Sequence, residues 1–420
     1  MSLTVKVLLG MALGIIVGLL INLSDLNASG SFINENIVNG LFHVIGSLFV
    51  NALKMLVVPL VFFSLICGVC GIGDVRMLGR VGSKSFLLYM MTTAIAIATA
   101  IIIAVSFDIG SDMNQIDTSS FTGESSPPLT QVIIDIIPKN PINSMAQGDM
   151  LPIIFFSILL GISILLVGKK AEGAIDAAKI ANEIMMKMVD IVMSAAPYAV
   201  FALIAKAIAT LGLGLLVSLA GYVGVLVGAL FFHLFITLII VLKVFSGLNP
   251  ATFLNKMRST QVFAFSTASS NATIPVTMRT VTQRLGVDNA IASFTVPFGA
   301  TINMDGTAIM QGVATVFIAN VYGVELGMLG YLTVILMSVL ASIGTAGVPG
   351  VGLIMLSMVF TQVGLPVEGI GLILGVDRLM DMIRTAVNVS GDAVVSTIVA
   401  KSERKLDINT YYSLGISHIK

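Results

Sequence analysis

The chain has no tryptophan, two cysteines, three histidines and only 10% charged residues. A soluble globular chain carries roughly a quarter charged residues, so a fully water-exposed protein is excluded. Two cysteines, Cys67 and Cys70, exclude a disulfide framework. His43, His233 and His418 are far apart and give no metal-ligand spacing. Basic and acidic residues balance at 22 each. Without a basic excess there is no electrostatic footprint for nucleic acid. What the 420 residues do contain is 56% hydrophobic residues, a mean hydropathy of +1.02 and 40 glycines. That combination predicts an all-α multi-pass membrane protein with closely packed helices and interrupted backbone inside the bilayer.

About 20 apolar residues cross a bilayer core as one helix. Uncharged runs of that order are Val7–Ser24, Met55–Ile72, Ser85–Phe107, Met150–Gly168 and Ile191–Ala205. A longer run, Ala207–Leu242, has room for the end of one helix, a turn at Gly212–Gly214 and a second helix. Lys6 alone precedes the first run and no small-residue cleavage site closes it, the pattern of a retained span rather than a signal peptide. Segments 23–40 and 108–128 hold acidic residues but no Lys or Arg. Segments 74–84, 169–187 and 243–258 hold Arg76, Arg80, Lys84, Lys169, Lys170, Lys179, Lys187, Lys243, Lys256 and Arg258. By the positive-inside rule this alternation predicts six spans with a cytoplasmic N-terminus. Pro138, Asn140, Pro141 and Asp149 predict a bent entry to the fourth span.

After Arg258 the pattern changes. Residues 259–278 are uncharged, yet their middle is Ser266–Thr267–Ala268–Ser269–Ser270–Asn271–Ala272–Thr273, followed by Pro275. Small hydroxyl residues before a proline make a poor helix centre. Residues 326–367 are uncharged for long enough to hold two helices, and their middle is Gly344–Thr345–Ala346–Gly347–Val348–Pro349–Gly350. Both stretches predict re-entrant hairpins, whose non-helical tips survive only inside protein or against a wet cavity. Each precedes a helix with a polar interruption: Asn303–Met304–Asp305–Gly306–Thr307 after the first, Asn388–Val389–Ser390–Gly391–Asp392 after the second. The pattern predicts an internal repeat of hairpin plus broken helix, with a site at mid-depth. The plainer alternative is two unrelated loops between ordinary helices.

The last span, about 369–400, contains Asp377, Arg378, Asp381, Arg384 and Asp392. An intramembrane charge is costly and functional by default. At about 100° per residue these five, with Thr385 and Asn388, share an arc of about 120°. Asp381 and Asp392 are about 16 Å apart along the helix, too far for one small ligand. The upper part, Asp381, Arg384 and Thr385, carries both signs and suits a zwitterion with an extra carboxylate. The lower part, Asn388 and Asp392, offers oxygens to a hard cation. The alternative is internal salt bridging, Asp381 with Arg384, that only holds helices together. The Cys67–Gly68–Val69–Cys70 pair reads as packing. Met304 stands out among 23 methionines because it lies in a polar interruption.

At these motifs the chain resembles the dicarboxylate/amino acid:cation symporter family, which includes archaeal aspartate transporters and animal excitatory amino acid transporters. The resemblance runs from about Val7 to about Lys405. It rests on Ser269–Ser270 with Pro275, Asn303 through Thr307, Gly344 through Gly350, and Asp381 through Asp392. It implies eight transmembrane helices plus two re-entrant hairpins in inverted repeats, a homotrimer in membrane lipid, and elevator-type alternating access. Residues 1–80 and 111–214 would form a scaffold. Residues 81–110 and 215–408 would form the transport domain, and 409–420 a cytoplasmic tail, with both termini on the cytoplasmic side of the cell membrane.

By match to the family motif, Asp381 would take the substrate ammonium and Arg384 its side-chain carboxylate. Asn388 and the Ala268–Ser269–Ser270 region would hold the α-carboxylate, with Met304, Thr307, Thr385, Gly347, Val348 and Gly352 completing the pocket. One sodium site would use Asp392 with backbone oxygens of Gly299, Asn303 and Asn388. A second would use Thr301, Met304 and carbonyls of Ser342, Ile343 and Thr345. A third would use Tyr89, Thr92, Thr93, Asn303 and Asp305. The chain departs from the pattern in two respects: the family's serine triplet reads Ser269–Ser270–Asn271 here, and the pocket arginine is displaced. Archaeal members carry Arg at the position of Ala268 and animal members at that of Met382, whereas here Arg378, four residues before Met382, is the nearest substitute. Within the family, Asp381 with Arg384 points to L-aspartate or L-glutamate and to sodium as the co-transported ion. The alternatives are C4-dicarboxylate or cystine substrates, and protons in place of sodium. No reaction chemistry is implied, so the chain reads as a transporter and not an enzyme.

Overall fold

A computed structural model describes residues 3–24, 31–70, 78–111, 134, 136–343, 347 and 350–413. These residues are overwhelmingly helical, and the extended pairing among them is a single isolated bridge, Val287 with Leu406. Five stretches are long and apolar enough to cross a membrane: Val5–Leu23, Ile33–Cys67, Arg80–Ser106, Pro152–Ser194 and Gly214–Ser246.

The first half is a bundle of long helices: α1 (Leu3–Leu23), α2 (His43–Cys70), α3 (Ser83–Ser106), the short α4 (Pro141–Gln147), α5 (Met150–Val167), α6 (Glu172–Ser194) and α7 (Ala196–Leu211). Asn140 caps α4 through its side chain, with Pro141 at the first helical position. This is the bend expected before the fourth span. The basic segment 169–187 forms most of α6, braced by Asp176–Lys179 and Lys187–Asp190 pairs. The expected fifth run, Ile191–Ala205, is divided at Ala195, and α7 continues to Leu211 before the turn at Gly212 (φ +69°).

Helices α1 and α7 run parallel at close range. Gly10, Gly14 and Gly18, spaced every fourth residue, lie on Pro197, Phe201 and Ala205 in the same order; a Cβ at Gly14 would meet the Phe201 carbonyl at 2.8 Å. Such small-residue faces let membrane helices approach backbone to backbone. The opposite face of α1 exposes Leu9, Leu13, Ile16 and Leu20, an apolar stripe suited to lipid.

The second half contains α8 (Leu213–Phe232), a π-helical turn at His233–Thr237, and α9 (Leu238–Ser246). The first hairpin is α10 (Pro250–Thr267) folded back on α11 (Ser270–Arg279). Its non-helical tip is only Ala268, in left-handed backbone at φ +49°, and the extended Ser269. The tip is thus shorter than the hydroxyl-rich stretch predicts. Ser269 caps α11 by accepting from Ala272 N at 3.2 Å, and Pro275 is carried within that helix.

Then come α12 (Asn289–Ile302), the non-helical Asn303–Met304, and α13 (Asp305–Val321), the broken span that was expected. The second hairpin pairs α14 (Gly327–Ser342) with α15 (Val351–Gln362). Of its predicted tip only Gly347 and Gly350 are described; Gly344, Thr345, Ala346, Val348 and Pro349 lie outside the described residues.

The last helix, α16 (Ile370–Ser402), corrects the second half of the expected repeat, because it is continuous through Asn388–Asp392. Ser390 returns its hydroxyl to Ala386 O at 2.7 Å and Thr385 to Asp381 O at 2.8 Å, so these polar groups are satisfied within the helix. Gly391 serves a close approach instead of a break: a Cβ there would lie 2.6 Å from Asn303 Nδ2. The repeat is therefore two hairpins, with one broken helix and one intact helix.

A clasp closes the end of the molecule where α16 stops. Asp288 N bonds to Lys405 O at 3.0 Å and Asp407 N to Gly286 O at 2.8 Å. The Lys256 ammonium donates to the carbonyls of Arg284, Thr410 and Tyr411 at 2.7–2.8 Å, and Tyr411 Oη donates to Asn249 O at 2.9 Å. Short α17 (Ile408–Tyr412) is thereby tied across the base of the first hairpin. Glu403 pairs with Lys84 at 2.6 Å and Arg80 at 2.8 Å.

Candidate substrate and cation site

Five elements meet at the break between α12 and α13. The break frees backbone N–H groups at the start of α13, where they have no helical partner. Gly306 N finds Asn388 Oδ1 of α16 at 2.7 Å. Gly306 also lets α13 lie directly on α16, since a Cβ there would be 2.6 Å from Arg384 O. The Asn388 amide donates to Met304 Sδ at 3.3 Å. One asparagine side chain thus ties the broken helix to the intact one and settles where both polar segments sit.

On α16 the mixed-sign cluster is buried. Arg384 is 0% exposed. Its Nη2 donates to Asp381 Oδ1 at 2.9 Å and its Nη1 lies 2.8 Å from Asp377 Oδ1. Arg378 approaches Asp381 Oδ2 at 3.7 Å. Thr307 and Gly352 face the same guanidinium: a Cβ at Gly352 would meet Thr307 Cγ2 at 3.3 Å and Arg384 Nη2 at 3.5 Å. The hairpin tips meet nearby. Ser269 Oγ donates to Gly347 O at 2.7 Å, and Asn271 N donates to the same carbonyl at 3.1 Å. Gly347 is wedged against Ser270 and Ala300 O so closely that a Cβ would meet each within about 3.0 Å. Ala268, at the position where an arginine was expected, is itself buried at the first tip.

Two carboxylates lie apart from any arginine or lysine among the described residues. Asp392 accepts from Asn303 Nδ2 at 2.9 Å and abuts Gly299, where Tyr89 Oη also reaches. Asp305 accepts from Thr93 Oγ1 at 2.6 Å and from Thr92 Oγ1 at 3.4 Å, and Thr92 is also 3.5 Å from Asn303 Oδ1. The structure thus brings Asp392, Gly299 and Asn303 of the first expected cation set together, and Thr92, Thr93, Asn303 and Asp305 of the third, on α3, α12, α13 and α16, while Tyr89 Oη donates to Thr295 O at 2.9 Å. Oxygen-rich, anionic and without an arginine or lysine partner among the described residues, these groups have the donor chemistry of a hard cation site. The second set is not joined in this way. Thr301 donates to Pro297 O and Ser342 to Val339 O; no hydrogen bond joins Thr301 or Met304 to Ser342 or Ile343 among the described residues, and Thr345 lies outside them.

Two residues that were not among the expected binding residues lie against this centre. Asp377 is on the expected stripe, yet its role as the second anchor of Arg384 needs the folded geometry. His233 is 3.1 Å from Asp305 through Nε2. A lone histidine in an uncharged run was the available signal. A cavity of about 670 Å³ lies elsewhere, lined by His43, Asn51, Lys206, Tyr322 and Glu368 among others.

Charge buried at this density, inside an apolar helical body and beneath two touching hairpin tips, is the construction of a membrane transporter. Residues 3–402 match the profile of the Sodium:dicarboxylate symporter family. The chain belongs to that family, whose members are transporters and not enzymes. It is similar to the "Proton/glutamate-aspartate symporter" of Escherichia coli, 35% identical over 97% of this chain and 94% of the relative. It is similar to the "Proton/sodium-glutamate symport protein" of Geobacillus stearothermophilus, 33% identical over 95% and 94%. A "C4-dicarboxylate transport protein" of Bacillus subtilis is 31% identical over 97% and 94%.

Proposed function

We propose that the protein is a secondary active symporter that takes up acidic amino acids, L-aspartate or L-glutamate, together with sodium. The observation that carries this reading is the buried pairing of Asp381 with Arg384, a cation-binding and an anion-binding group side by side. An amino acid with a carboxylate side chain matches both. Asp381 takes the ammonium, Arg384 the side-chain carboxylate, and Asn388, Thr385, Ser269, Ser270, Thr307 and the Gly347–Gly352 region surround the rest. Asp392 and Asp305 hold the coupling ions. The division into a scaffold (1–80, 111–214) and a transport domain (81–110, 215–408), a homotrimer in the cell membrane and an elevator motion belong to the same reading. The parallel α1–α7 packing supports a rigid scaffold.

A C4-dicarboxylate is the second reading, favoured by the Bacillus subtilis relative; it leaves Asp381 without an ammonium partner. Purified protein in liposomes distinguishes the readings. Labelled L-aspartate, L-glutamate and succinate are offered under a sodium gradient or a pH gradient. Sodium-driven accumulation of the amino acids over succinate is expected. Accumulation driven by a pH gradient alone, without sodium, would overturn sodium coupling, and a preference for succinate would overturn the substrate assignment.

A further inference from the structure

His233 is the single histidine among the described residues that is buried, at 1% exposure. It stands where α8 passes into the π-helical turn His233–Thr237. Such a turn inserts an extra residue into the helical register and is frequent at functional sites. Here it packs on α3 and α16, the helices that carry the Asp305 environment. His233 Nε2 lies 3.1 Å from Asp305 Oδ2. An ionised carboxylate only accepts, so Nε2 carries the proton. Its Nδ1 is buried with no hydrogen-bond partner among the described residues, so among them the ring is anchored through Nε2 at Asp305.

The two oxygens of Asp305 are thereby divided. Oδ2 is taken by the imidazole and pressed against α16, where a Cβ at Gly391 would come within 3.1 Å of it. Oδ1 turns to Thr93 at 2.6 Å and Thr92 at 3.4 Å, beside Asn303. A carboxylate on a short side chain rotates about its last bond unless both oxygens are held. The histidine supplies the second hold, from the turn that follows α8.

We propose that His233 is a positioning residue for a monovalent cation at Asp305, fixing the carboxylate so that the ion meets one of its oxygens together with Thr92, Thr93 and Asn303. The inference rests on the reading of Asp305 as a coupling-ion ligand. One carboxylate oxygen, in place of two, gives a site from which an ion can also leave, as a transported ion must. Outer partners that orient a metal ligand change metal affinity by about 10–100-fold when removed.

The test is substrate binding by the purified full-length protein, titrated with sodium at fixed ionic strength and pH. His233→Leu removes the N–H and keeps an apolar side chain. His233→Gln keeps a donor at the reach of Nε2. In the leucine variant the sodium concentration for half-maximal substrate binding should rise about tenfold or more. Substrate affinity at saturating sodium should stay as in wild type, and the glutamine variant should return the sodium dependence towards wild type. A leucine variant with unchanged sodium dependence overturns the proposal. So does a glutamine variant as impaired as the leucine one, which would mark His233 as packing only. If wild-type binding itself ignores sodium, the coupling-ion reading falls and this inference with it, an outcome distinct from a sodium-dependent wild type with an indifferent leucine variant.

Discussion

Arg384 reaches back along α16 to Asp377, seven residues earlier, and closes an ion pair at 2.8 Å with no solvent exposure of its own. Side chains on a helix tilt towards its N-terminus, and the two-turn rise of about 10.5 Å is bridged by the arginine and aspartate side chains together. The fork therefore lies well N-terminal of its own Cα, between the two aspartates. With Arg378 3.7 Å from Asp381, two guanidiniums stand against two carboxylates at this level of the helix.

Removing one partner of a buried pair leaves a stranded charge and costs about 3–5 kcal/mol, whereas replacing both with apolar groups is often neutral. Asp377→Leu should lower the thermal midpoint in detergent markedly. The double variant Asp377→Leu with Arg384→Met should recover much of that loss although it cannot select an acidic substrate. Additive losses in the double-mutant cycle would argue against a direct pair.

Selectivity should follow Arg384. Truncating one partner of a desolvated guanidinium–carboxylate interaction costs about 2–5 kcal/mol, or at least about thirtyfold in affinity. Arg384→Cys should lose L-aspartate and L-glutamate by that margin and gain small neutral amino acids. Competition binding checks this; undiminished aspartate affinity would remove Arg384 from the substrate site.

Gly306 and Gly221 make a matched pair. A Cβ at Gly306 would sit 2.6 Å from Arg384 O and 2.8 Å from its Cα, while Gly221 has nothing within 4 Å. Backbone cannot move aside as a flexible side chain can. Gly306→Ala should destabilise by about 1–3 kcal/mol and disturb substrate affinity, while Gly221→Ala should be neutral or slightly stabilising. Thermal melts and binding isotherms of the two variants settle the matter.

Asp392 and Asp305 should govern sodium dependence without touching substrate. Cation and substrate sites that stabilise the same closed state are linked reciprocally. Asp392→Asn and Asp305→Asn should each weaken substrate binding at low sodium and flatten the slope of affinity against sodium. A slope as steep as wild type in both variants would place the coupling ions elsewhere.

At the clasp, the hydrogen bond from Lys84, reinforced by Arg80, holds the Glu403 carboxyl below the usual carboxylate range. A depressed folded pKa contributes stability that is full above the unfolded value of about 4.3 and is lost as pH falls through the folded pKa. Glu403→Gln should therefore melt below wild type at pH 7, with the difference closing as the pH is taken below about 4. Melting curves across that range test the sign.

Charge periodicity made the α16 stripe legible, because Asp377, Asp381, Arg384, Asn388 and Asp392 recur at helical spacing in an apolar run. Asn303 through Thr307 was legible as a break for the related reason that polar residues interrupt a hydrophobic span. The same logic misread Asn388–Asp392. Polarity and a glycine look alike whether a helix opens or another backbone approaches, and only the packing of Asn303 on Gly391 separates the two. His233 was not legible as a partner of Asp305, since 72 residues separate them and the π-helical turn that turns it inward has no compositional mark. Residues of the first and third cation sets, which the family resemblance named, lie together around Asp392 and Asp305, and no hydrogen bond joins those of the second among the described residues.

The bond from Tyr411 to Asn249 spans 162 residues. At about 5–20 residues per second of synthesis, roughly 8–32 s pass between the emergence of the first hairpin's base and that of its fastener. For the first part of that interval, until the second hairpin and α16 have followed, the hairpin's polar tip has neither against which to satisfy its backbone. The newborn chain must therefore hold this segment in a protected place, and the membrane-insertion machinery or its attendant chaperones is where such protection is available. Truncation before Lys405 should leave a chain that inserts its early spans yet is cleared by quality control.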